Sequence, residues 1–320
     1  MSVMRLWCCL GLMGCSEGGE GFFYSPSPCS DGTWAGWMLP YGVVWVSPSG
    51  SDSWPGSMVR PLRTIRAAME AIRGTRRGRI GLLPGVYEGG VRVFRDSGKP
   101  VTISGCSAAE VVIKGSFERP ATATLALQGS GEITVRKLSV EQGTGGITIT
   151  GGVQASLESV TVTGAAARGI LIGGEDTVAS LTDVTVQETS NGMRSRPSGW
   201  GLGIIGASVS LFDVRLLDNR GFGLNMDGGK LDAQQLVIER TAVTDVDRFG
   251  TGLYVRHAQR VSLSVCAVRE SGGDGVFLID NHEVVVRDCV IDQVASSSFQ
   301  PGDGLVVRQV GTGREPPSVT

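Results

Sequence analysis

From residue 146 onward the chain alternates apolar and polar positions in short bursts, each opened by a glycine. The bursts are Gly146-Ile147-Thr148-Ile149, Gly169-Ile170-Leu171-Ile172, Gly201-Leu202-Gly203-Ile204 and Gly223-Leu224-Asn225-Met226. Gly252-Leu253-Tyr254-Val255, Gly275-Val276-Phe277-Leu278 and Gly304-Leu305-Val306-Val307 follow, the intervals being 23, 32, 22, 29, 23 and 29 residues. A second burst recurs at a matching offset: Leu138-Ser139-Val140, Val160-Thr161-Val162, Val184-Thr185-Val186 and so on to Cys289-Val290-Ile291. Period-two alternation, β-branched residues and glycine or Asx punctuation predict strands, two per unit. Hairpins alternate as well. Equivalent apolar positions at a short repeat of 22–23 residues instead predict stacked coils, each strand parallel to its counterpart one turn below. Each coil then rises by about 4.8 Å.

The register follows from the alternation. The first and third residues after each glycine point inward. The second and fourth point outward: Asn225 and Asp227, Tyr254 and Arg256, Phe277 and Ile279, Val306 and Arg308. Cys266 and Cys289 take inward positions that other units give to Val or Leu, one coil apart and so able to approach disulfide distance; free buried thiols acting as small hydrophobes are the expected state, the sequence leaving their redox state open. Three alternate intervals are longer, with the extra residues around 189–200, 241–251 and 295–303, so three loops should leave one edge of the solenoid. They carry Trp200, Asp245, Asp247, Phe249 and Phe299, a mixture of rings and carboxylates suited to sugars.

Toward the N-terminus, Ile65, Ala68, Met69 and Ile72 fall on one helical face, suited to closing the open end of a solenoid. Val46-Ser47-Pro48-Ser49-Gly50-Ser51-Asp52, Pro61-Leu62-Arg63-Thr64-Ile65 and Pro84-Gly85-Val86-Tyr87 resemble the opening of bacterial pectate-lyase-like β-helix proteins, including a domain of unknown function at the start of many such chains. The resemblance implies an all-β, single-stranded right-handed parallel β-helix solenoid with an N-terminal capping helix. It also implies that the Pro-Gly-x-Tyr segment starts the first coil.

The first residues read differently. A basic start and a short apolar stretch end in Leu12-Met13-Gly14-Cys15, which resembles a bacterial lipobox. That resemblance implies acylation of Cys15 and, with Ser16 next, a lipid-anchored protein of the bacterial cell envelope sorted to the outer membrane. The expected organisation is a signal peptide over 1–14, a Gly/Ser/Pro-rich flexible tether over 15–42 and a cap with the first coil over 43–98. The β-helix then covers 99–310 and a tail 311–320.

Composition adds exclusions. Glycine at 48 of 320 residues without a collagen period fits many turns, and a net charge of −2 offers nucleic acid no basic footprint. The cysteine spacings match no metal motif, and Cys29, Cys106, Cys266 and Cys289 are too sparse to suggest a disulfide framework.

The expected function is polysaccharide binding on the outward sheet and loops, through Tyr254, Phe277, Asn225, Trp200, Asp245 and Asp247. Catalysis on acidic glycans, by a lyase, hydrolase or epimerase, is the alternative, with Asp227, Arg256, Asp274 and Asp303 as candidates. Asp274 and Asp303 precede stacked glycines, a candidate Ca²⁺ pair, although Asp-Gly is also ordinary turn chemistry. Asp280-Asn281-His282-Glu283 faintly resembles the Asp-Pro-His-Glu of alginate epimerases, yet sits where a polar turn is needed. His257 reads equally well as an exposed strand-end residue. A structural or adhesive solenoid without a small ligand is the third option.

Overall fold

The computed structural model describes Cys29 and residues 42–308, apart from 97, 118–122, 191–198, 245–248 and 296–301. A first strand β1 (Val43–Val46) and one helix α1 (Ile65–Ala71) precede a coil of β2 (Gly78–Leu82), β3 (Gly85–Glu88) and β4 (Val91–Arg95). The next coil holds β5 (Val101–Ser104), β6 (Val111–Lys114) and β7 (Ala123–Gly129). Above it the first two strands of each coil run together, giving β8 (Glu132–Glu141) with β9 (Gly145–Thr150), β10 (Gln154–Thr163) with β11 (Arg168–Gly173), and β12 (Val178–Gln187) with β13 (Trp200–Ile205). Then come β14 (Ser208–Leu217) with β15 (Gly221–Asp227), β16 (Lys230–Glu239) with β17 (Gly250–Arg256), β18 (Arg260–Arg269) with β19 (Val276–Ile279), and β20 (Val284–Asp292) with β21 (Leu305–Arg308).

These strands form a twelve-stranded sheet, from β1 through the long strands to β20, and a nine-stranded sheet from β4 to β21. Every strand pairs in parallel with its counterpart one coil away, as in Val160↔Val184 and Ile170↔Leu202. The inward register matches the alternation. Ile147, Ile170, Leu202, Leu224, Leu253 and Val276 form one buried column, and Ile149, Ile172, Ile204, Met226, Val255 and Leu278 the next. Burying a side chain of this size contributes about 1.5–3 kcal/mol, and none of these columns closes until a neighbouring coil covers it.

Each coil has three faces rather than the two strands expected from sequence. β5 pairs with the first part of β8 and β6 with its last part, so one continuous strand turns a corner. The corner residue adopts the left-handed backbone in each of the seven coils with a continuous long strand: Lys137, Ser159, Asp183, Asp213, Gln235, Val265 and Asp288, with φ between 50° and 57°. It has no register partner, and alternation resumes beyond it in the new plane. The Pro84-Tyr87 segment therefore opens the second face, β2 having already begun the coil.

The helix forms where the apolar spacing predicts it. The Thr64 side chain caps it, accepting from the Ala67 N–H at 3.1 Å, while Ile65, Ala68 and Ile72 are buried against the first coil. Asp52 braces this turn, its carboxylate accepting from the Thr64 and Arg63 backbone N–H groups at 2.9 Å. Buried Arg95 donates to the carbonyls of Ile72, Thr75 and Lys99, tying the turn after the helix and the loop after β4 together.

The cysteines depart from expectation. Cys266 and Cys289 form a disulfide between β18 and β20 rather than remaining free thiols. Parallel register puts their Cα atoms 4.4 Å apart, and that proximity is what the spacing alone left undecided. Cys29 pairs with Cys106 across 77 residues and is buried at 4 % exposure, which fixes one point of the 15–42 segment to the solenoid.

Candidate functional site

The outer face of the nine-stranded sheet gathers most of the described candidates. Trp200 opens β13, and its indole lies over Gly203 of the same strand; a Cβ at Gly203 would sit 2.6 Å from the ring. The Arg168 guanidinium, one coil below, stands 4.6 Å from the Trp200 ring centroid. Beyond Trp200 the register places Phe222 on the next coil, and Asn225, Tyr254 and Phe277 on successive coils of the neighbouring column.

Those rings touch. Phe249 and Phe222 have centroids 5.1 Å apart, Phe222 and Tyr254 5.4 Å, and Tyr254 and Phe277 5.4 Å with planes 13° from parallel. Arg308 covers the far end at 5.4 Å from the Phe277 centroid. The aromatic positions therefore form one apolar ridge along the solenoid axis, instead of separate flat platforms. Phe249 reaches it from the 241–251 insertion, whose base is closed by Thr244 N–H donating to the Phe249 carbonyl at 3.0 Å. All three insertions leave between a long strand and a strand of the nine-stranded sheet, on the edge that alternation in repeat length predicts. Asp245 and Asp247 lie outside the described residues, as do Phe299 and Cys15.

A polar cluster flanks the ridge where β15 and β17 end. Asp227 Oδ2 accepts from Arg256 Nη2 at 2.7 Å, and Asp227 Oδ1 lies 2.9 Å from His257 Nδ1. An ionised carboxylate only accepts, so Nδ1 carries the proton. Burial pushes the Asp227 carboxyl up, but the hydrogen bonds and charges of His257 and Arg256 outweigh it and hold it below the usual carboxylate range. Because its folded value is depressed, its stabilising contribution is fully present above the unfolded value of about 3.9 and is lost only as pH falls through the lower folded one. A carbon-13 titration of the Asp227 carboxyl is expected to show a midpoint below about 3.9; a midpoint at or above that value would contradict the pairing.

The four carboxylate and arginine candidates do not converge. Asp227 and Arg256 meet at the ends of their strands, whereas Asp274 and Asp303 sit before the starts of β19 and β21. Roughly five residues of strand, about 16 Å, lie between those edges. The Asp303 backbone N–H donates to Asp274 Oδ1 at 3.2 Å, so that carboxylate serves turn structure. Among the described residues no group of three or more His, Cys, Asp or Glu side chains is placed to hold a metal ion. Asn281 likewise braces a turn: its side chain accepts from the Ala258 N–H at 2.8 Å and donates to the Val255 carbonyl at 3.2 Å. His257 joined the site only through the fold, since Asp227 is 30 residues away in sequence.

Residues 168–313 match the family model described as "Right handed beta helix region". The crystal structure of pectate lyase Pel9A superposes with a TM-score of 0.61 over 87% of this chain and 79% of that chain, at 15% identity. The chain is a right-handed parallel β-helix. At this identity the likeness to a pectate lyase is one of fold. A rhamnogalacturonan lyase is similar at a TM-score of 0.41 and 14% identity, over 87% of this chain and 65% of its own. ORF18 of Geobacillus virus E2 is similar at 0.47 and 11% identity, over 86% and 60%. No curated protein sequence matches this β-helix. Among its described residues no helix is long and apolar enough to cross a membrane.

Proposed function

We propose that this β-helix binds polysaccharide along the outer face of its nine-stranded sheet. The observation that carries the proposal is the continuous ridge of Phe249, Phe222, Tyr254 and Phe277, flanked by Asp227, Arg256 and His257. A saccharide presents apolar C–H faces ringed by hydroxyls. An apolar ridge beside charged hydrogen-bonding groups complements both features. Coils about 4.8 Å apart repeat on the scale of a sugar ring, so a chain lying along the axis meets equivalent positions in turn. The likeness in fold to a pectate lyase supports this choice of ligand class.

Tyr254→Ala and Phe277→Ala are each expected to weaken oligosaccharide binding about tenfold, read by isothermal titration. Unchanged affinity in both variants would reject this face. The proposed setting is the bacterial envelope, with a lipid on Cys15. The two disulfides fit an exported protein, since such bonds persist in oxidising compartments.

An enzymatic alternative, acting on acidic glycans, draws on the hydrogen-bonded Asp227, Arg256 and His257. It requires unsaturated or shortened products when acidic polysaccharides are incubated with the protein, with or without Ca²⁺. Their absence under binding conditions would leave the binding function alone.

A further inference from the structure

We propose that the helix-capped N-terminal end of the solenoid docks on an anionic phospholipid surface, with a seat for a lipid phosphate in the cleft between α1 and β4. This end lies five strands from β15 along the nine-stranded sheet, about 24 Å, and is separate from the saccharide face.

Charge is spread unevenly along the chain. Residues 60–99 contain ten Arg and Lys against three Asp and Glu, a net charge of +7 in a chain whose total is −2. The overall balance therefore hides a strongly basic end. The fold turns these charges outward. Ile65, Ala68 and Ile72 face the core, so the opposite side of α1 and its flanks presents exposed Arg63, Arg66, Glu70 and Arg73. Arg76 and Arg77 extend this surface in the exposed turn after the helix. Glu70 offsets little of it, because both members of its 3.5 Å pair with Arg73 are open to water.

Beside the helix, Arg73, Arg92 and Lys99 converge on a cleft of about 300 Å³ that is also lined by Met69 and Phe94. Arg95 forms its inner wall. That guanidinium is buried, and its hydrogen bonds go to three backbone carbonyls, which leave its positive charge uncancelled. With Glu70 and Asp96 included, the cleft gathers four cationic groups against two carboxylates. Arginine forks match phosphate oxygens in geometry as well as in charge.

Phe94 selects the kind of anion. Its ring is 56% exposed within the cleft that gathers the cations. Trp54 and Val59 are exposed in the preceding loop, which Asp52 ties to the start of the helix. A bilayer offers apolar groups directly beneath its phosphates, whereas a DNA duplex or a sulfated glycan offers charge without that layer. The path of the chain agrees. The Cys29–Cys106 disulfide pins position 29 to the second coil, 14 residues beyond Cys15 and so within about 50 Å of it. A lipid on Cys15 would hold this end, rather than the ridge, close to the membrane.

The test uses the full chain with Cys15→Ser, so that no acyl group contributes, sedimented with vesicles of phosphatidylcholine alone or with about 30% phosphatidylglycerol. Binding is expected to be about tenfold tighter to the anionic vesicles at about 0.1 M salt and to be largely lost at about 0.5 M. Arg73→Gln with Arg92→Gln and Lys99→Gln is expected to weaken it about tenfold at an unchanged melting temperature, since all three side chains are exposed. Arg215→Gln with Arg260→Gln and Arg287→Gln removes the same charge from exposed positions on later coils and is expected to leave vesicle binding unchanged. Phe94→Ser is expected to weaken it about threefold. Equal binding to both kinds of vesicle, or equal losses in the two triple variants, overturns the proposal. So does a short DNA duplex or a sulfated glucan bound as tightly as the anionic vesicles with Phe94→Ser without effect, since the surface would then take any polyanion. Oligosaccharide affinity at the ridge is expected to be the same in every one of these variants, so the two functions stand or fall separately.

Discussion

Gly223→Ala is expected to destabilise the protein by about 2–4 kcal/mol, measured by urea unfolding, although it adds one methyl group. The reason is space. A Cβ at Gly223 would stand 2.6 Å from the carbonyl oxygen of Gly252 and 3.2 Å from Thr241 Oγ1, and would also collide with Ile238 Cγ2. All three neighbours belong to packed backbone or to buried β-branched side chains, which have no room to withdraw. The same approach recurs along the column. A Cβ at Gly169 meets the Gly201 carbonyl at 2.7 Å, one at Gly201 meets that of Gly223 at 2.6 Å, and one at Gly275 meets that of Gly304 at 2.6 Å. Gly74 provides the control, with nothing within 4 Å of an added Cβ. Gly74→Ala is expected to change stability by no more than about 0.5 kcal/mol. Equal effects at the two sites would show that the coils are less closely stacked than described.

Loss of the disulfides should produce the other large effect. In the chain-entropy account, closing 77 residues through Cys29–Cys106 stabilises by about 4.5 kcal/mol and closing 23 through Cys266–Cys289 by about 3.4 kcal/mol. The consequences should differ in place, because coils interact mainly with their neighbours. Cys266→Ala with Cys289→Ala should speed hydrogen exchange in β19–β21 while leaving β8–β12 protected. Cys29→Ala with Cys106→Ala should act instead on the coil of β5–β7 and its neighbours. Uniform acceleration along the chain, or none, would count against a solenoid of nearest-neighbour contacts.

The glycine column shows why the fold was so readable in sequence. Gly146, Gly169, Gly201, Gly223, Gly252 and Gly275 recur because each coil needs the same close approach, and a repeated physical demand leaves a repeated residue. The third face left no such mark. Its corner needs only one residue in the left-handed region, and Lys137, Ser159, Asp183, Val265 and their equivalents share no side-chain character. Alternation beyond the corner merely looks like a second short burst. The outward residues were legible for a related reason. Placing Tyr254 beside Phe277 required only the register, which the inward column fixes. The mutual stacking of the rings, the recruitment of Phe249 and the contact between Asp227 and His257 depend on side-chain direction across coils, which spacing does not encode. The cysteine pairs show the same limit: Cys266 and Cys289 were adjacent in register, but Cys29 and Cys106 meet only through the path of the folded chain.

The central claim is that the outer face of the nine-stranded sheet holds a saccharide. A crystal soaked with an oligogalacturonate tests it most directly. The expected result is sugar density running along the solenoid axis against Phe222, Tyr254 and Phe277, flanked by Asp227, Arg256 and His257. Density for the saccharide on another face, with only water over Tyr254 and Phe277, would contradict it.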